Sequence, residues 1–177
     1  MIVFSGDLEE DYFHWTKKAL QHTEIPLEAV PDPSSAVGYV RAAIKLRNAA
    51  RKDGNKYEIW CVVDSLDDIE EALVLAAKNK IRVVVSRPCF AAWLLMHFED
   101  VGDLEAPEIT RRLAGYLPDV TSRSSAALVP LAGRFAAASE RARRGRPGLA
   151  SSDVSDLIEA IQDSLREYLD NDQRRAL

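Results

Sequence analysis

Two clusters of acids stand directly behind apolar runs in the 177-residue chain. Residues 2–4 lead into Ser5-Gly6-Asp7-Leu8-Glu9-Glu10, and the run YEIWCVV (57–63) leads into Asp64-Ser65-Leu66-Asp67-Asp68. Carboxylates delivered from two strand ends form an oxygen cage suited to Mg²⁺, a hard cation that keeps several waters and organises phosphoryl transfer. That chemistry makes Asp7, Glu9, Asp64 and Asp67 the metal-ligand candidates, with Glu9 and Asp64 nearest a catalytic role. The competing reading is structural. Asp67 and Asp68 would cap a helix, and Asp7, Glu9 and Glu10 would sit at a helix N-terminus, where its dipole favours negative charge. Asp64 fits that reading least, because an acid following a continuous apolar run is costly unless it is paired or exposed at a site.

A third apolar run, 81–85, leads into SRPCFAAWLLMHFED (86–100), which holds one arginine at the strand end, Arg87, and ends on His97 beside Glu99 and Asp100. There a carboxylate could orient the imidazole for proton transfer, or the ring could be a satisfied core residue. RARRGRPG carries Arg141, Arg143, Arg144 and Arg146 within a few residues. With Arg87, the last three are the candidates for nucleic-acid contact, and a solvated loop is the plain alternative. A formal net charge of -5 excludes attraction of the whole chain to nucleic acid, so any contact must come from a local patch.

The elements that must position these groups alternate. The pattern predicts a strand over 2–5, a helix from the acidic run at 7–11 through Leu20, and a strand over 25–30 that ends at PDPSS. A helix follows over 36–51, with Val37, Val40 and Ile44 on one face, closed by KDGNK (52–56). YEIWCVV has the unbroken apolar character of a strand buried on both faces of a parallel sheet. Ser65 and Asp68 resemble a capping box ahead of a helix over about 67–78, before the strand at 81–85. Strand, helix and strand joined by short connections require a right-handed crossover, hence an α/β core.

Beyond residue 104 the chain turns helical. Ile109, Leu113, Tyr116 and Leu117 share a face, an alanine-rich stretch covers 124–143, RRGRPGLASS reads as an exposed loop, and Val154, Leu157, Ile158, Ile161, Leu165 and Leu169 form the stripe of a terminal amphipathic helix. The expected division is a core over 1–104 with a helical extension over 105–177 packed on it, forming one compact domain. Cys61 and Cys89 lie in apolar runs, as reduced thiols of a cytoplasmic protein would. No segment approaches the ~20 apolar residues that cross a bilayer.

Read together, these pieces resemble the RloB family of restriction and abortive-infection loci. Its members open with a motif close to EG-E-T-E-x-x-Y-F, matched by SGDLEEDYF (5–13). They continue with V-F-D-x-D, matched by WCVVDSLD (60–67), and S-N-P-C-F-E-x-W-L-L-x-H-F, matched by SRPCFAAWLLMHFED. A weaker likeness to N-P-S-T-x-V-x-x-L-V lies in LASSDVSDLI (149–158). The resemblance implies a Toprim-like parallel sheet flanked by helices, with Mg²⁺ held for phosphodiester chemistry. It further implies a place in anti-phage defence, an ATPase partner encoded alongside, and nucleic acid, DNA or RNA, as substrate; self-association stays open. Three family acids are replaced here, at Ser5, Leu66 and Ala91. Either a rearranged Mg²⁺-dependent nuclease or a catalytically silent binding subunit follows.

Overall fold

The computed structural model describes residues 1–21, 24–31, 34–64, 67–144 and 150–175. Strands β1 (Ile2–Phe4), β2 (Leu27–Ala29), β3 (Ile59–Asp64) and β4 (Ile81–Arg87) are parallel, and β5 (Ser151–Ser152) joins the edge antiparallel to β4. Their order is β2-β1-β3-β4-β5. β3 pairs residue for residue with β4, from Ile59 opposite Ile81 to Asp64 opposite Ser86.

Side chains alternate across each strand, and both faces are apolar. Ile2, Phe4, Trp60, Val62 and Val84 belong to one core cluster, while Val3, Ile59, Cys61, Val63 and Val85 belong to the other. The continuous apolar pattern of β3 is thus the pattern of burial on both sides. Helices α2 (Ala36–Lys52) and α3 (Ile69–Asn79) cover the second cluster. The first is covered by α1 (Asp7–Ala19), α4 (Phe90–Leu95), α5 (Ala106–Tyr116), a 3-10 helix (Ser125–Leu131), α6 (Phe135–Arg143) and α7 (Val154–Arg175). The architecture is a mixed α/β fold, a mostly parallel sheet flanked by helices with a helical C-terminal part.

Local chemistry accounts for several boundaries. α1 opens on Asp7, Glu9 and Glu10 and closes on Lys17 and Lys18, each sign at the dipole end that favours it. α2 is capped twice: the Ser35 hydroxyl accepts from the Gly38 N–H at 3.0 Å, and Asp68 accepts from the Ala36 and Val37 N–H groups at 2.8 and 3.0 Å. This corrects the expected capping box. Asp68 serves the neighbouring helix, among the described residues no side chain caps α3, and Ser65 lies outside them.

The C-terminal part also differs from a purely helical extension. Within the stretch read as an exposed loop, Ser151 and Ser152 pair with Arg87 and Ser86, and the buried Ser86 and Ser152 hydroxyls meet at 2.9 Å. Asp153 N–H donates to the Val85 carbonyl at 3.0 Å. A two-residue strand made of two serines has no periodicity to betray it.

The segment 86–100 supplies the centre of the first cluster. Trp93, Leu94 and Leu95 are fully buried and meet Tyr12 and Phe13 of α1, with the Tyr12 and Trp93 rings edge to face at 6.4 Å. Truncation of Trp93 to alanine leaves a large void and is expected to cost about 3–5 kcal/mol, read as a lowered midpoint in urea unfolding; a loss under about 1 kcal/mol would contradict the packing described.

Candidate functional site

Between β1 and β3 the order of the sheet reverses direction: the chain leaves β1 outward to β2, then returns to place β3 on the opposite side. Loops diverge at such a switch point and leave a crevice at the carboxyl ends of the strands. Here that crevice is a cleft of about 520 Å³, lined among others by Gly6, Glu9, Asp64, Cys89, Ala91 and Thr110.

Two half-buried acids face it. Glu9, in the first turn of α1, folds its carboxylate back over Gly6, so that a Cβ at residue 6 would collide with the carboxylate oxygens. Burial pushes the Glu9 carboxyl up to about 7; its own backbone N–H opposes the rise, while Asp64 and then Asp7 add to it. Asp64, the last residue of β3, is pushed up to about 6 by burial, opposed by the Phe90 N–H. One Asp64 oxygen, Oδ1, is buried without a hydrogen-bond partner among the described residues. The Cys89 thiol is raised by burial and next by the charge of Asp64.

The other candidates part company with this pair. Asp7 lies at the rim, exposed, and both its oxygens are taken by Arg123, one contact running from Nε at 3.1 Å. Asp67 is exposed on the turn before α3, outside the cleft lining. Among the described residues no group of three or more His, Cys, Asp or Glu side chains is placed to hold a metal ion. The donor set among the described residues therefore does not fit a multi-carboxylate Mg²⁺ cage.

His97 is corrected from an acid-base candidate to a core residue. It is fully buried, edge to face with Trp93 at 4.9 Å and Phe135 at 5.8 Å. Nδ1 sits 3.0 Å from the Trp93 carbonyl, which can only accept, so Nδ1 carries the proton. Burial lowers its pKa to about 4, leaving the ring neutral. The acids expected to orient it are engaged elsewhere: Glu99 accepts from Arg112 at 3.0 Å and Tyr116 at 2.8 Å, and Asp100 faces Arg144 at 3.6 Å.

The arginines do not form a patch either. Arg143 pairs with Glu159, Arg144 also lies 3.9 Å from Glu140, and Arg146 is outside the described residues. Arg87 is half-buried at the end of β4, near Asp153, whose carboxyl is raised by burial, with the Val85 N–H and then the Arg87 charge opposing the rise.

Sequence reading missed Tyr39, whose hydroxyl bonds the Ser5 hydroxyl from α2 across the cleft. Nothing in the local pattern around residue 39 announces a partner in another loop. Sequence reading also missed what Gly6 does, since its role depends on where the Glu9 side chain folds.

Sheet order, cleft and half-buried acid pair define a doubly wound α/β protein that presents an acidic crevice at its switch point. Residues 1–163 match the RloB-like protein family, and the chain belongs to it. No curated protein and no solved structure matches the chain. Against the family motifs, Ser5 and Ala91, two of the replaced acids, both line the cleft, and Leu66, the third, lies outside the described residues. No helix of the described residues is long and apolar enough to cross a membrane.

Two outcomes are expected. Glu9 and Asp64 hold protons when folded at pH values where the unfolded chain has released them, so the folded state binds more protons and stability falls as pH rises from about 4.5 to about 7. The double variant Glu9→Gln, Asp64→Asn should flatten that slope in urea unfolding at several pH values, and a slope identical to the parent's would refute the burial described. Gly6→Ala should push the Glu9 carboxylate into solvent and return its pKa toward 4.5, the ordinary value, by carboxyl NMR titration. An unchanged titration would mean Glu9 does not sit over Gly6.

Proposed function

We propose that this protein is an RloB-like component of a bacterial anti-phage defence system that works by binding, together with an ATPase encoded alongside. The observation that carries this reading is the fate of the polar groups at the carboxyl edge. Asp7 is taken by Arg123, Glu9 by its own N–H, Asp64 by the Phe90 N–H and Ser5 by Tyr39. Most of the groups that a metal would otherwise gather are thus engaged by the protein itself, and although Asp64 Oδ1 keeps no partner among the described residues, these bring no set of three ligating side chains together around it. The positions of Glu9 behind β1 and Asp64 behind β3 support descent from a Toprim-like core, on which the scaffold persists while the metal centre has been dismantled.

A second reading, a Mg²⁺-dependent nuclease, is favoured by one observation: Glu9 and Asp64 still share the cleft. Phage challenge of cells carrying the whole locus separates the two. On the binding reading, Asp64→Ala protects as well as the parent, the purified protein leaves labelled DNA and RNA intact in Mg²⁺ or Mn²⁺, and it co-purifies with the neighbouring ATPase. Loss of protection by a folded Asp64→Ala protein, together with cleavage that the same substitution abolishes, would overturn it in favour of the nuclease.

A further inference from the structure

α2 carries five cations, Arg41, Lys45, Arg47, Arg51 and Lys52, and no acid, in a chain whose net charge is -5. Arg41, Lys45, Asn48 and Lys52 follow one another at helical spacing and are all exposed, forming a polar stripe about 16 Å long. The stripe continues beyond the helix. Lys56 lies on the following loop, and Arg47 reaches across to the Asn79 carbonyl at the end of α3, which brings Lys78 and Lys80 alongside.

Among the described residues none of Arg41, Lys45, Arg51, Lys52, Lys56, Lys78 or Lys80 makes an ion pair, whereas Arg111, Arg112, Arg123, Arg143 and Arg144 all do. Cations in the last turn of a helix suit its dipole, which accounts for Arg51 and Lys52. It does not account for Arg41 and Lys45, a like-charge pair at i, i+4 that destabilises the helix in isolation. Beside the stripe, Arg51, Gly54, Lys56 and Tyr57 line a recess of about 330 Å³ in which the Tyr57 ring is 37% exposed.

We infer that the C-terminal half of α2, with the loop to Tyr57 and the end of α3, is a binding face for a nucleic-acid phosphodiester backbone, at the end of the molecule opposite the cleft. The row of unpaired cations supplies phosphate contacts, and Tyr57 flanked by Arg51 and Lys56 offers a stacking surface for a base. α2 turns its apolar side into the core, through Val37, Val40 and Ala43, so it has no apolar face to insert into a lipid surface. The inference is independent of whether the cleft is catalytic.

The test uses the full chain and fluorescein-labelled oligo(dT), oligo(U) and a DNA duplex of about 20 units each, by anisotropy in rising NaCl. The parent should bind at low salt, and Arg41→Gln, Lys45→Gln, Lys52→Gln together should weaken binding about tenfold or more and reduce the slope of log K against log salt by about 2–3. Arg143→Gln with Arg144→Gln should change neither, and Tyr57→Ser should weaken the single strands more than the duplex. Which probe binds best separates DNA from RNA. The stripe residues are exposed, and thermal unfolding confirms that each variant folds; should the triple variant not fold, Lys45→Gln with Lys52→Gln serves. No binding to any oligonucleotide, binding untouched by the stripe variants, or sedimentation with phosphatidylserine vesicles in place of oligonucleotide binding would each overturn the inference.

Discussion

β3 is buried on both faces and paired in parallel on both edges, and that confinement fixes where the polar groups emerge. A strand with β1 on one side and β4 on the other, all running one way, can only deliver their following residues to the same edge. Glu9 arrives there from β1, Asp64 from β3 and Cys89 from β4. The raised carboxyl groups are a consequence: two acids brought from separate strands into one partly closed crevice both lose hydration, and the charge of Asp64 makes Glu9 harder still to ionise. Helix α4 then supplies the Phe90 N–H to Asp64, so the most apolar segment of the chain also provides a donor to its most costly acid.

The same segment shows how the apolar positions of a motif act through packing, while Cys89, Phe90 and Ala91 at its start line the cleft. Tyr12, Trp93 and His97 meet edge to face, and the buried Tyr12 hydroxyl, Trp93 Nε1 and His97 Nε2 find no partner within hydrogen-bond geometry. Polar atoms left this way weaken a core relative to an apolar one of equal volume. Their arrangement holds α1, which carries Glu9, against α4, which carries the Phe90 N–H facing Asp64. His97 therefore bears on the cleft through packing, at a position from which its imidazole reaches no substrate.

Much of this was legible in the sequence. The strand pattern of 57–63, the crossover it forces and the emergence of Asp64 at a carboxyl edge followed from apolar runs and from the cost of burying an acid. What escaped was whatever depends on partners distant in sequence. Asp68 looks like the cap of the helix that follows it, and only the tertiary fold shows it reaching the N–H groups of Ala36 and Val37. Ser151 and Ser152 have too short a run for any period. RARRGRPG drew attention because its cations are adjacent, yet adjacency in sequence says nothing about counter-ions, and Glu159, Glu140 and Asp100 take them up. The cations of α2 are spread over a helical period and were passed over, although the absence of any acid over 36–52 was visible in the sequence itself.

Charge is divided between the two ends of the molecule, and the direction of the helices explains part of that division. Crossover helices in a parallel sheet run opposite to the strands, so α1 and α2 start at the carboxyl edge and finish at the amino edge. Their positive dipole ends accept Asp7, Glu9 and Glu10 on α1 and Asp68 on α2, and their negative ends accept Lys17 and Lys18, Arg51 and Lys52. α3 follows the same rule with Glu70, Glu71 and Lys78. Arg41 and Lys45 lie in the middle of α2, outside the last turn where the dipole acts, and they repel each other with no acid on their own helix. The dipoles thus set the polarity of the fold, and the mid-helix cations exceed what helix stability asks of that surface. An acidic crevice at one end and an uncompensated basic face at the other leave the two surfaces free to engage different ligands at once.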